Sequence, residues 1–409
     1  MTLIVPFFFA HQPFRLKAAE ERPGSAPLPP AALEDAFFDD KLDSEIFHKV
    51  AGKCYFPATR MILEMVKERA HHDKPFRVAY GLSGTLLTQA QRYAPELLDL
   101  WKALADTGLV EFTGETYYHS LSGLFDDERV EFRQQVQRHK EAIQTHFGLT
   151  PTTFRNTEML YNNAVASAVQ EMGFAGIITE GVDWLMAGWR SPDFVYKAPC
   201  GLPVLLRNYR LSDDVGYRFS NTGWSGYPLT GEKFAGWLAG NTDPLVLLAM
   251  DYEAIGEHIW ADTGIFDFIR SLPGQTAHYP QLEYATPSDT LARVPVQGEL
   301  DVPVMATISW ADQERDTSAW LGNEMQQFCY EEIKRMEPII RATGDPDFLH
   351  AWRLMQTSDH LYYISSKAMS DGDVHQYFSA YGTVVEAFVR LHTALYELKR
   401  RAEQFPPPQ

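Results

Sequence analysis

The chain has 409 residues, 45% of them hydrophobic, enough for a large core in one big domain or two closely packed ones. With 36 basic and 54 acidic residues its formal net charge is −18, which argues against nucleic acid, because that binding rests on neutralising phosphates. The same balance disfavours an anionic membrane surface or an acidic polymer and leaves a neutral substrate compatible.

The opening Met1 to His11 is apolar but has no basic leader region and no convincing cleavage site, so it reads as a first strand rather than a signal peptide. No apolar run reaches the length of a membrane span, and the expectation is a cytoplasmic protein without a membrane partner. Runs rich in β-branched and aromatic residues place strands near 2–9, 76–81, 109–113, 152–155, 175–179, 203–208, 245–250 and 303–308. Residues 17–35, rich in Ala, Pro and Glu, read as a surface loop. From Asp127 to His146, Phe132, Val136 and Ile143 share one helical face, which continues to Phe147, and Gly148 with Pro151 ends that helix. A second helix is expected over Asn162–Met172, stopped by Gly173. Residues 211–229 combine Gly, Ser and aromatics and read either as a substrate-covering loop or as an ordinary long connection.

Alternating strands and helices over most of 300 residues imply a parallel α/β sheet or barrel. From Ser318 to Arg401 the pattern turns helical: Asp316 or Thr317 caps a first helix, Asp345-Pro346 starts a second, and Val374–Arg401 forms a third. The expected division is a barrel over residues 1–315 and a helical region over 316–409 packed on it. The three cysteines, Cys54, Cys200 and Cys329, are odd in number and widely spaced, so they read as buried free thiols.

Two carboxylates dominate the chemistry. Glu158 ends Phe154-Arg155-Asn156-Thr157-Glu158, where Arg155 and Asn156 could hold it ionised, as suits a nucleophile. Asp251 ends the apolar run from Leu245, where desolvation would raise its pKa toward that of a general acid, and Glu253 could raise it further by like charge. Such a pair is what glycosidic cleavage needs: one carboxylate attacks the sugar carbon and the other carries the leaving-group proton. His11, directly after the first strand, can bond a sugar hydroxyl, and Glu111 at a strand end and His119 could face the same site. A polar stretch around Ser358-Asp359 sits unusually inside the helical region. His11, His119, His258 and Asp251 could in principle bind a metal, but no His-x-x-x-His pair or Asp-Asp pair sits at a strand end near them, so no metal and no cofactor is expected. Phosphate loops and Gly-x-Ser-x-Gly are absent from the sequence.

The order of these segments resembles glycoside hydrolase family 57, the α-amylase-like group. His11-Gln12-Pro13 looks like its first motif, Glu111 through His119 the second, and Glu158 falls where the family carries its nucleophile. Asp251-Tyr252-Glu253 with Gly256 matches its general acid/base segment, and Asp359 its substrate-binding Asp. The resemblance runs from about residue 2 to 395. It implies an incomplete (β/α)7 TIM-like barrel followed by a C-terminal helical bundle. It also implies retaining cleavage of α-1,4 bonds in α-glucans or maltooligosaccharides, without a cofactor. The chain is short for the branching and amylopullulanase members, which favours the α-amylase type. The alternatives are a 4-α-glucanotransferase on the same site and a non-catalytic α-glucan-binding protein; a metal-dependent deacetylase is a third. Under the resemblance His11, Glu111, His119, Glu253, His258 and Asp359 contact sugar and Trp310 and Trp320 stack on it, with Trp184 a further candidate for stacking. Two departures stand out: Phe9 replaces the first His of the usual His-x-His-Gln-Pro, and Glu257 stands where a His often follows the Gly.

Overall fold

The computed structural model describes residues 1–405 except Ser25, Pro27, Asp126 and Asp127. Eight strands are named here: β1 (Thr2–Ala10), β2 (Val78–Leu82), β3 (Val110–Phe112), β4 (Thr153–Arg155), β5 (Gly176–Glu180), β6 (Val195–Lys197), β7 (Pro203–Arg207) and β8 (Leu245–Asp251). Seven of them form a parallel ring in the order β1, β2, β3, β4, β5, β7, β8. The pairs β1–β2, β2–β3, β4–β5, β5–β7 and β1–β8 are regular ladders. Two joints are thin. Gly114 bridges β3 to β4, its N–H donating to Thr153 O at 2.8 Å and its carbonyl accepting from Arg155 N at 2.9 Å. Between β7 and β8 the Asn208 N–H donates to Leu247 O at 3.0 Å and Arg207 Nε to Ala249 O at 2.7 Å. Lower down, β6 runs antiparallel along β7, so β8 meets β7 only near its upper end. The result is the seven-stranded, incompletely closed (β/α) barrel expected.

All nine residues of β1 are buried. That is the signature of a parallel strand covered on both faces. Leu3, Val5, Phe7 and Phe9 join Leu245, Leu247 and Ala249 in the barrel interior. Ile4, Phe8 and Ala10 face the outer helices with Trp101 and Leu104. The helices over Val130–Phe147 and Asn163–Glu171 match expectation, the second capped by Asn162 Oδ1 on Ala164 N and Val165 N, both at 3.0 Å. Asp127, the expected start of the first of these, lies outside the described residues.

Several expectations are corrected. Residues 303–308 are not a strand: Val304–Ala306 is a single 3-10 turn, with Val304 and Met305 exposed, and only Ile308 bridges Tyr161. An apolar run after a proline imitates a strand in composition alone. The stretch 211–229 opens inside a helix, Tyr209–Gly216, capped by Asn208. The surface loop 17–35 is anchored by buried Arg22 and Leu33. The expected third C-terminal helix is two, Met369–Phe378 and Val384–Gln404, the second capped by Thr383. Tyr377 and Val385 on these helices are exposed. Between the barrel and these lie Glu324–Ala342 and Pro346–Leu354, the latter started by Asp345 Oδ1 on Asp347 N at 2.9 Å, as expected.

A buried ion cluster ties helix Val130–Phe147 to the C-terminal helices. Glu131, 1% exposed, accepts from Arg353 Nε at 2.7 Å and Nη2 at 2.9 Å, from Arg341 Nη2 at 2.7 Å and from Gln135 Nε2 at 2.8 Å. No helix of the described residues is long and apolar enough to cross a membrane.

Candidate active site

Chain segments leaving the carboxyl ends of the parallel strands converge on one cluster, the face where barrels of this kind carry chemistry. His11 follows β1, Glu115 and His119 follow β3, Glu158 follows β4, Arg207 ends β7 and Asp251 ends β8. Ser358 and Asp359 reach the same point from the short helix Ser358–Tyr362.

Glu158 sits in a tight turn over Thr157–Met159 with φ 55°, ψ 22°. Met159 and His119 also have positive φ, at 54° and 50°. Each such residue costs about 1–3 kcal/mol and persists only where its surroundings hold it. Here they hold it with hydrogen bonds. Glu158 Oε1 accepts from His119 Nε2 and Ser358 Oγ, each at 3.1 Å, and Oε2 accepts from the Trp310 indole N–H at 2.7 Å. The Trp310 backbone N–H also donates to Glu158 O at 3.3 Å. Burial alone would raise the Glu158 carboxyl, but the bond and charge of His119 and the indole N–H outweigh it and hold its pKa below the ordinary value.

Asp251 is the opposite case. Burial first, then the negative charge of Glu158, push it up to about 7, against the pull of Arg155, Arg207 and His119. Its carboxyl has no hydrogen-bond partner among the described residues. The two carboxyls are thus driven apart, one held below its ordinary pKa and the other raised above it, which is the arrangement that assigns base and acid roles.

A second layer holds the first. His11 accepts from Ser83 Oγ at Nδ1, 2.8 Å, and donates from Nε2 to Asp359 Oδ2, 2.8 Å. Its ring stacks on that of His119 with centroids 3.9 Å apart. Burial and the neighbouring His119 lower its pKa, while Asp359, despite its burial, is held well below the usual carboxylate range by His11. Glu253 accepts from Tyr55 OH and from the His11 N–H at 3.3 Å; burial, then the Asp251 charge, raise it to about 8. Gly256 of the same segment has φ 110°, and a Cβ there would lie 2.2 Å from the Lys53 carbonyl oxygen, so only glycine fits.

Of the sequence-predicted residues, His11, His119, Glu158, Asp251, Glu253, Trp310 and Asp359 come together. Four do not. The Glu111 carboxylate is used by Thr153 Oγ1 at 2.6 Å and by Ser288 N and Oγ, each at 2.9 Å, a structural anchor at the start of β4. Trp320 is 1% exposed inside the helical core and offers no face to a sugar. His258 packs against Tyr377 and Phe378, and burial lowers its pKa to about 4. Trp184 is 54% exposed, on the wall of a separate cleft of about 470 Å³ with Met305 and Arg315. Trp310 is placed at the site, but edge-on to Phe9 at 4.8 Å and as a donor to Glu158 rather than as a bare platform. Arg155 and Asn156 do not touch the Glu158 carboxylate: Arg155 pairs with Glu115 and Asn156 bonds Leu160 O at 2.9 Å. Sequence reasoning passed over Glu115 and the donor role of Ser358. The Gly-Glu-Thr-Tyr-Tyr-His run was the available signal for Glu115, since a Glu four residues before a His can share its face.

Asp312, Glu314 and Asp371 lie close enough to share an ion. Lys367 already pairs with Asp312 at 2.6 Å and Glu314 at 2.7 Å.

The sequence profile described as Glycosyl hydrolase family 57 matches residues 7–303. The chain belongs to this family. It is a glycoside hydrolase, and the family 57 resemblance read from five short motifs holds. A relative from Methanocaldococcus jannaschii, named "Putative alpha-amylase", is 42% identical over 405 residues, spanning 97% of this chain and 84% of its own. Among solved structures, the 4-alpha-glucanotransferase of Thermococcus litoralis is similar with TM-score 0.69 and 14% identity, over 100% of this chain and 60% of its own. The family 57 branching enzyme of Pyrococcus horikoshii is similar with TM-score 0.67 and 14% identity, over 100% of this chain and 98% of its own. At such identity the solved structures establish the shared fold.

Proposed function

We propose that this family 57 member is a retaining hydrolase of α-1,4-glucosidic bonds in α-glucans, of the α-amylase type. Glu158 attacks the anomeric carbon and forms a glycosyl-enzyme. Asp251 first protonates the leaving oxygen and then takes a proton from the incoming water. The observation that carries the reading is the opposed state of the two carboxyls: Glu158 held ionised by three donors, Asp251 raised to about 7 by burial and by Glu158. Once a glycosyl group occupies Glu158, its charge is gone, and the pressure that kept Asp251 protonated falls, so Asp251 becomes the base of the second step. His11 and Asp359 hold hydroxyls of the cleaved sugar. The 42%-identical relative's name points to the same activity. Transfer to a sugar hydroxyl uses the same two carboxylates.

The test is an anomeric proton NMR time course with soluble amylose. New α-anomer reducing ends before mutarotation support a retaining hydrolase. Disproportionation of maltotriose without reducing-end gain replaces hydrolysis by 4-α-glucanotransfer. A silent spectrum with glucan binding leaves a non-catalytic role.

The pH dependence has a definite sign. Asp251 must be protonated to donate, so kcat/KM is expected to fall as pH rises through about 7. Glu158 is held below the ordinary carboxylate value, so the acid limb lies below that value. A kcat/KM profile that stays flat to pH 9 contradicts the assignment of Asp251.

A further inference from the structure

Glu115 is 1% exposed and lies behind His119, out of reach of the sugar face. Three nitrogen groups surround its carboxylate: Arg155 Nη1 from β4 at 3.3 Å, His119 Nδ1 at 3.5 Å, and His139 Nε2 from helix Val130–Phe147 at 3.9 Å. His139 is committed elsewhere. Its Nε2 donates to Leu82 O at 2.9 Å and its Nδ1 accepts the Glu115 backbone N–H at 3.4 Å, a neutral tautomer. Arg155 is a permanent cation that also lies over the Phe9 ring, 4.2 Å from its centroid. Of these three groups, His119 is therefore the titratable one whose charge Glu115 can decide.

His119 is also the ring stacked on His11. Two imidazolium ions cannot share a 3.9 Å stack cheaply, so one proton is divided between two rings. Each ring has a carboxylate on its outer side: Asp359 for His11 and Glu158 for His119. Glu115 breaks that balance, because it gives His119 a second carboxylate.

We propose that Glu115 is a positioning residue that fixes the proton of the His11–His119 pair on His119, and so supplies Glu158 with a charged donor. The charged His119 holds Glu158 ionised through the 3.1 Å bond, while His11 stays neutral, accepting from Ser83 and donating to Asp359. The direction of the shifts agrees: against burial, Glu115 and Glu158 raise His119 to about 9, and His119 and Arg155 bring Glu115 down to about 2. The proposal rests on the assignment of Glu158 as nucleophile only for its kinetic consequence; the location of the proton does not depend on it.

The test is the titration of selectively labelled histidines by NMR, with Glu115→Gln as the variant of nearly equal volume. In the parent protein His119 is expected to stay protonated at pH 8. In Glu115→Gln its midpoint should fall by roughly 1–3 units, the usual effect of removing one opposite charge at this range. The acid limb of kcat/KM should move to higher pH with KM little changed, and Glu115→Asp should restore part of both. His119 found neutral at pH 7 in the parent protein overturns the proposal, even if the variant does not fold. A midpoint that is unmoved in folded Glu115→Gln overturns it too, and leaves Glu115 as a mere partner of Arg155. Because the histidine titration needs no substrate, a protein that cleaves no glucan but shows the shifted midpoint refutes the functional reading and not this one.

Discussion

Glu158→Gln is expected to lower kcat on amylose by roughly 10⁴–10⁶-fold, the scale seen when a covalent nucleophile is removed from other enzymes. Glutamine keeps the volume and one acceptor. Its carbonyl can take the bonds of His119 and Ser358, but its amide then faces the Trp310 N–H, donor against donor. Folding and glucan binding should therefore weaken only slightly while attack on carbon is lost. Glu158→Ala adds a sharper readout. With azide and an activated α-glucoside, the anion enters from the vacated face and yields the β-glycosyl azide. Near-parent turnover in Glu158→Gln, or azide trapped with the α configuration, removes Glu158 from the nucleophile role.

The second large effect concerns stability. Replacing Glu131 by leucine is expected to cost about 3–5 kcal/mol, because it leaves the Arg353 guanidinium, 6% exposed, without its bidentate partner. Arg341 suffers less, since it keeps Glu337 at 2.7 Å and Gln134 at 3.0 Å. The cost of an orphaned charge exceeds the value of the pair itself, so Glu131→Leu combined with Arg353→Met should recover most of the loss. Denaturant unfolding of the two single variants and the double closes the cycle. A double variant as unstable as the sum of the singles shows that the cluster is held by packing and not by charge compensation.

The barrel was legible because its strands are continuous apolar runs that end in polar or charged residues. Leu245 to Met250 can only be buried on both faces, and Asp251 then has nowhere to go but the rim. The same logic failed where composition imitates burial. Pro303 to Ile308 reads as a strand, yet only Ile308 pairs, in a single bridge to Tyr161. Trp310 and Trp320 occupy similar-looking segments ten residues apart, and tertiary packing sends one to the site and the other into the helical core. Glu111 and Glu115 illustrate the limit for charges. The strand ladder fixes Glu111 beside Ala79, low in the barrel, whereas Glu115 lies beyond the strand end and faces the cluster. Which glutamate matters was set by a strand boundary of three residues, finer than pattern reading resolves. The donors to Glu158 were hidden for another reason: Ser358 and Trp310 are remote in the chain, so no local spacing announces them.

The distance along the chain between Glu158 and Ser358 sets an order of events in time. The two are 200 residues apart, and at about 5–20 residues per second a ribosome needs on the order of 10–40 s to bridge that gap. Until then Glu158 lacks the Ser358 hydroxyl and His11 lacks Asp359, although both glutamate and histidine have long emerged. The catalytic rim is thus finished last, by the helical segment. A nascent chain with its barrel strands complete is still an unassembled enzyme.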